Sequence, residues 1–536
     1  MVSSNGFSRL MKVIIISLLL FFTGQVTVQA QTVWYVDFQT PAGTSGDGES
    51  WNTAWKYLGT NRSGFPGSVD GHVDWSVIGD GDTIYVSGGT DSTNYYSPPD
   101  VSAGMLFIGD ANVGAGRTFT TPVVICPSWE TGHNGDVYFT TRRTDANYII
   151  IVQNVNNVKC LDFTVINNYK AGSITFLTVY GNDVVIDGWH IDGGIYHAAS
   201  GFKGNRLTVQ NSLFEHSYNN LPDDQDLIGF NNYGVVGAVG GFTFDRNIVI
   251  YRNGNFGTGS HRDMIQITDV GDFEIDTLAE MVISNNLFID TREEGDGWNG
   301  GIYNPDARCR MNFYVYNNII VSRKNAEDFT PIWIGQEPTA EYVPLWHTSS
   351  LFVLNNTIIS KGMGTATMMN NYRFDTCIVK NNLFISDTTL GIFFNLDNAN
   401  QWQASHKEFN YNLYAEYGGV SGNFGLDRGI IKTFTTWQND FSYDLNSTTS
   451  NSTAVTFSNK YDSAATGYYT TSGRDLGVDL SATYPFLATD ILGNPRSGDW
   501  DIGALEYQGG GMLDIIWKRI EPFLRNNETD FWRGIK

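Results

Sequence analysis

The longest and most charged turns of this chain are EHSYNNLPDDQD (215 to 226), RNGNFGTGSHRD (252 to 263) and DTREEGDGWNG (290 to 300). They hold the residue types needed to take a proton from a carbon next to a carboxylate. A cation must neutralise that carboxylate, a base must remove the proton, and an acid often serves the leaving oxygen. Arg262 or Arg292 can pair with a carboxylate through two parallel hydrogen bonds. His261 can act as the base, because an imidazole titrates near neutrality. Asp263, Glu293 and Gln266 lie beside them in sequence or on the strand that follows, and Trp298 closes the third turn. A second arrangement uses the carboxylates instead. Asp223, Asp226, Asp263 and Glu294 could hold a Ca²⁺ ion, which takes six to eight oxygens. No contiguous calcium loop is present, so this version depends on the fold bringing separate turns together. Charged turns are also what solvent selects on any surface, so the cluster needs a scaffold before it means anything.

That scaffold is legible as a repeat. The segments VVIDGWHI (184 to 191), TVQNSLFE (208 to 215), TFDRNIVI (243 to 250), VISNNLFI (282 to 289), YVYNNIIV (314 to 321), FVLNNTII (352 to 359), IVKNNLFI (378 to 385) and FNYNLYAE (409 to 416) each read as strand, polar kink, strand. Their aligned position runs Gly188, Ser212, Asn247, Asn286, Asn318, Asn356, Asn382 and Asn412, at intervals averaging about 32 residues. Such short strands, rich in β-branched and aromatic residues and joined by Gly- and Asn-rich turns, leave no room for crossover helices. A solenoid accounts for the spacing, because each coil buries its apolar side only by stacking on its neighbours. The asparagines then fall one above another and can form an amide ladder along the axis. Intervals varying from 24 to 39 residues suit coils with loop insertions better than uniform propeller blades.

With these repeats, the opening WYVDFQTPAGTSGDGESWNTAWKYL (34 to 58), GDGDTIYVSGG (79 to 89) and the closing DILGNPRSGDWDIGALEY (490 to 507), the sequence resembles the right-handed parallel β-helix superfamily. That superfamily includes pectate lyases, alginate lyases and polygalacturonases. The resemblance implies an all-β fold: a right-handed parallel β-helix of about ten or more coils, with an N-terminal cap over residues 31 to 90 and a solenoid over 91 to 508. The coils are expected to become irregular from about residue 420.

In that superfamily the strand after the kinked pair and its variable turn belongs to the sheet on which substrates lie. Here those strands are DLIGFNN (226 to 232), DMIQITD (263 to 269), GGIYNP (300 to 305) and PIWIGQ (331 to 336), on four successive coils. The resemblance therefore implies one groove lined by the three charged turns, in a secreted protein acting on a polysaccharide. His261-Arg262-Asp263-Met264-Ile265-Gln266 resembles the H-x-D-x-I-Q segment of many secreted β-helix proteins and, more distantly, the D-G-I-D strand of polygalacturonases. Gln266 stands where those hydrolases have a second carboxylate, and their G-H-G and R-I-K segments are not found at the corresponding strands. A lyase acting on a uronate-containing glycan by β-elimination therefore ranks first, with His261, Arg262, Asp263 and Arg292 as its catalytic group. In the calcium version an Arg would be the base, as in pectate-lyase-like relatives. Gln266, Glu293, Trp298 and Trp333 would bind substrate, indole suiting the apolar face of a sugar ring. A non-catalytic glycan-binding or adhesin-like protein ranks second, and a polygalacturonase-type hydrolase third, since this scaffold carries many activities.

The rest of the chain sets boundaries. Arg9 and Lys12 precede the apolar run Val13 to Phe22, and Val28-Gln29-Ala30 closes it with small residues, the pattern of a secretory signal cleaved after Ala30. This run of ten residues falls short of the roughly 20 a membrane-spanning helix needs. The formal charge of −23 disfavours nucleic acid as partner. The mature protein is expected as a secreted monomer. Cys126, Cys160, Cys309 and Cys377 form no CxxC pair, so buried thiols or at most one bridge are expected. After Gly509-Gly510-Gly511, apolar residues from Leu513 to Leu524 recur at helical spacing and predict an amphipathic helix.

Overall fold

The computed structural model describes residues 31–40, 46–59, 71–96, 106–109, 117–140, 148–166, 175–192, 200–202, 204–216, 226–231, 241–251, 262–268, 279–290, 299–304, 311–322, 329–334, 350–360, 367–371, 374, 376–388, 392–396, 406–420, 422–427, 430–457, 468 and 470–507. The expected signal segment and C-terminal helix lie outside them.

Three sheets of 12 strands each build a parallel β-helix. One coil illustrates the path. A strand of the first sheet, Met311–Tyr316, bends into a strand of the second, Ile319–Ser322. After a turn, Phe329–Ile334 joins the third sheet, and Ser350–Leu354 returns to the first, one coil on. Strands pair in parallel with their equivalents in the next coil, as Phe313 does with Leu351 and Ile320 with Ile358; at the end of the third sheet Gly425–Asp427 pairs antiparallel with Ile430–Lys432. The inward side chains form one continuous apolar core, from Trp34 and Val36 through Phe244, Ile283 and Val315 to Phe409 and Trp437. Among the described residues no helix is long and apolar enough to cross a membrane.

The Asn-Asn pairs divide two tasks at the bend. The first residue of each pair takes the left-handed conformation, with φ of 54° at Asn285, 52° at Asn317, 54° at Asn355 and 56° at Asn381. Asparagine tolerates this region better than other residues bearing a Cβ. The second residue is fully buried and builds the amide ladder. Asn318 Oδ1 accepts the backbone N–H of Asn286 at 3.0 Å and its Nδ2 at 2.9 Å. Asn318 Nδ2 in turn donates to Asn356 Oδ1 at 3.0 Å and to the Ile283 carbonyl at 2.8 Å. The same bonds repeat through Asn382 to Asn412. They satisfy backbone groups that the bend takes out of the sheets. The first two repeats align one residue differently from the sequence reading: Asp187 pairs with Gln210 and His190 with Leu213, so Gly188 (φ 73°) matches Asn211 and Trp189 matches Ser212.

Asp444 closes the ladder. Its Oδ1 accepts from Asn412 Nδ2 at 3.1 Å, Tyr414 Oη at 3.0 Å and Ser447 Oγ at 2.6 Å, and its Oδ2 from Trp437 Nε1 at 3.0 Å. Burial pushes this carboxyl above the ordinary aspartate range. At the other end, Trp34 and Trp55 stack with ring centroids 5.2 Å apart over the opening coils. Cys126, Cys160 and Cys377 are buried thiols, and burial raises Cys126 to about 12. Cys309 lies outside the described residues.

The closing segment does something the repeat pattern does not announce. After the Gly425–Asp427 strand and the helix Phe434–Phe441, the strand Thr448–Asn451 adds to the second sheet. The following residues then lie against the outside of the stack. Val455, Ile491, Leu492, Ile502 and Leu505 cover the outward side chains of the second sheet, including Ile250, Ile289, Val321 and Ile385. Leu480, Leu487 and Trp500 cover Leu354 and Ile378 of the first. Arg496 fastens this strap: it is buried against Glu506 Oε2 at 3.1 Å and donates to Asn317 Oδ1 at 3.2 Å. Burial lowers the Arg496 pKa and raises that of Glu506, with the charge of each opposing the shift of the other.

Candidate functional site

The four strands expected to carry a site are neighbours in the third sheet. Ile228 pairs with Ile265, Ile265 with Ile302 and Ile302 with Ile332, all in parallel. The isoleucines point into the core. Strand alternation therefore sends Gln266 and Trp333, which follow Ile265 and Ile332, to the opposite face. Their backbone register passes through Gly229, Gln266, Tyr303, Trp333 and Asn370, one residue per coil. Gln266 and Trp333 are half-buried, as side chains on an accessible sheet face should be.

Of the residues singled out from the sequence, the structure brings Asp226 and Asp263 together at the starts of consecutive strands. Asp226 Oδ1 accepts the Asp263 backbone N–H at 3.0 Å, and Asp263 Oδ1 accepts that of Gly300 at 2.7 Å. Leu227 N–H bonds the Asp263 carbonyl at 2.9 Å. Asp263 is fully buried and Asp226 is 8% exposed. Each carboxylate thus caps the next coil and fixes where its strand begins, which makes the pair positioning residues for this edge of the sheet. Arg262 starts its strand opposite Asn299 of the next coil. His261, Arg292, Glu293, Glu294, Trp298 and Asp223 lie outside the described residues.

Of the four carboxylates expected to hold calcium, Asp226 and Asp263 lie among the described residues. Both are hard oxygen donors, but one oxygen of each already holds a backbone N–H, and Ca²⁺ requires six to eight oxygens. The described residues do not by themselves make such a cage. Sequence reasoning passed over Tyr303. Its signal was the alignment of GGIYNP with PIWIGQ, which places it in register with Trp333.

No known protein-family model matches the chain, and no curated protein matches it.

Proposed function

We propose that this protein is a secreted carbohydrate-active protein that binds a polysaccharide along the outer face of the third sheet and cleaves it as a lyase acting on uronate-containing chains. The observation that carries the proposal is the outward pair Gln266 and Trp333, in register through Tyr303 of the coil between them, which begins beside the strand starts bearing Arg262 and Asp263. Successive coils repeat at about 4.8 Å, so the row offers a polymer one polar or aromatic contact after another along its length. Indole and phenol rings suit the apolar faces of sugars, and Gln266 supplies both a donor and an acceptor for hydroxyls.

In the reaction, an arginine, Arg262 or Arg292, neutralises the substrate carboxylate and so acidifies the neighbouring carbon. His261 removes that proton, the glycosidic C–O bond on the adjacent carbon breaks to leave an unsaturated uronate, and the departing oxygen takes up a proton from the protonated imidazole or from water. Asp263, buried and bonded to Gly300, holds the strand edge that carries Arg262 in register. The single carboxylate on this strand disfavours a two-carboxylate hydrolysis.

The test is absorbance near 235 nm, where unsaturated uronates absorb, with purified protein on alginate, pectate and glycosaminoglycans, with and without Ca²⁺. A rise that disappears in Arg262→Ala and His261→Ala supports the lyase. Binding without any rise moves the assignment to a glycan-binding protein using the same row.

A further inference from the structure

On the outer face of the second sheet, two rows change character along the stack. The row that reads Ile250, Ile289 and Val321 in later coils passes from Ile166 through Asp192 and Glu215, and the row that reads Ile248 and Leu287 passes through Thr164, His190 and Leu213. In the later coils both rows are apolar and lie under the closing strap. In the two earlier coils an imidazole and two carboxylates take these places. His190 is 6% and Glu215 4% exposed, while Asp192 is half-buried.

We propose that His190, Asp192 and Glu215 bind a divalent transition-metal ion, with Zn²⁺ as the fitting probe. One ligand atom from each residue lies within 4.8 Å of the other two. His190 Nε2 and Glu215 Oε2 are 3.2 Å apart, close to the edge of about 3.3 Å expected for a tetrahedron whose metal–ligand arms are about 2.0 Å. One nitrogen and two carboxylates form a donor set suited to zinc and its neighbours in the periodic table. Calcium and magnesium prefer an all-oxygen shell. The three ligands come from consecutive coils, since Asp192 pairs with Glu215 and His190 with Leu213. The ion therefore fastens one coil to the next, and Asp192 leaves it a side open toward solvent. This site is independent of the glycan assignment, being on a different sheet.

The experiment uses tag-free protein stripped with a chelator and titrated with Zn²⁺ by calorimetry, with Ca²⁺ and Mg²⁺ run in parallel. One Zn²⁺ should bind per chain at micromolar affinity or tighter, Ca²⁺ at least a hundredfold more weakly, and the Tm should rise by a few degrees with Zn²⁺. His190→Ala and Asp192→Asn should each lose the binding. Asp192→Asn is the less disruptive change and keeps the test valid should the buried histidine variant misfold. No stoichiometric Zn²⁺ binding, or binding unaltered by Asp192→Asn, overturns the proposal and leaves a buried ion pair.

Discussion

Replacing Asn356 by Ala tests the ladder at its centre. The substitution removes five hydrogen bonds: two accepted by Oδ1, from Asn318 N at 2.9 Å and Asn318 Nδ2 at 3.0 Å, and three donated by Nδ2, to Val315 O at 2.8 Å, Leu354 O at 3.1 Å and Asn382 Oδ1 at 3.0 Å. Asn318 Nδ2 retains Ile283 O. The Asn318 backbone N–H loses its amide acceptor at a residue with no solvent exposure. A buried polar group left unsatisfied costs about 1–3 kcal/mol, and the two N–H donors lost with the Asn356 amide add about 1 kcal/mol each, for a total of roughly 3–5 kcal/mol. In a solenoid the loss falls mainly on the altered coil and its neighbours. Amide hydrogen exchange is therefore the suitable assay, read on the strands Met311–Tyr316, Ser350–Leu354 and Thr376–Lys380. Exchange there should accelerate by about two to three orders of magnitude, at 1.4 kcal/mol per factor of ten. Asn355→Gly is the control. Its φ of 54° suits glycine, and the one ladder contact it makes, from Asn381 Nδ2, is a long 3.4 Å, so exchange should change less than about tenfold. Equal effects from the two variants would refute the division of labour within the Asn-Asn pair.

Two further outcomes follow from the buried charges. Arg496→Met leaves Glu506, only 4% exposed, without its cation, and the loss of one partner from a buried pair costs about 3–5 kcal/mol; guanidinium unfolding should show this, with the strap over 470–507 exchanging first. Burial holds Asp444 protonated to a higher pH in the folded state than in the unfolded chain. Its contribution to stability is therefore greatest below the unfolded pKa and falls as pH rises through the raised value. The Tm advantage of the protein over Asp444→Asn should shrink from acid toward neutral pH, and an advantage that grows would contradict this.

The stacked asparagines were legible in the sequence because a bend repeated in every coil imposes the same local requirement each time. The slip at Gly188 has a local cause: glycine occupies the left-handed position and Trp189 the ladder position, so the polar residue that served as a marker is displaced by one. The strap was less visible. Its apolar residues have no period, yet the strands it covers are apolar on both faces, as Ile248–Tyr251 and Ile319–Ser322 are, and such strands require cover on both sides. At the candidate site, pairing of the four strands followed from the repeat. The burial of Asp226 and Asp263 did not, because an aspartate ending a charged turn reads the same whether it faces solvent or caps the next coil.

The most direct test of the central claim is glycan affinity measured by fluorescence titration for Trp333→Ala and Gln266→Ala, on the outer row of the third sheet, against Trp129→Ala, whose ring is 70% exposed after a strand of the first sheet. The account predicts that Trp333→Ala weakens binding by about tenfold, the scale of one lost aromatic contact, while Trp129→Ala leaves it unchanged. Binding that survives both changes on the outer row, or that is lost with Trp129, would contradict it.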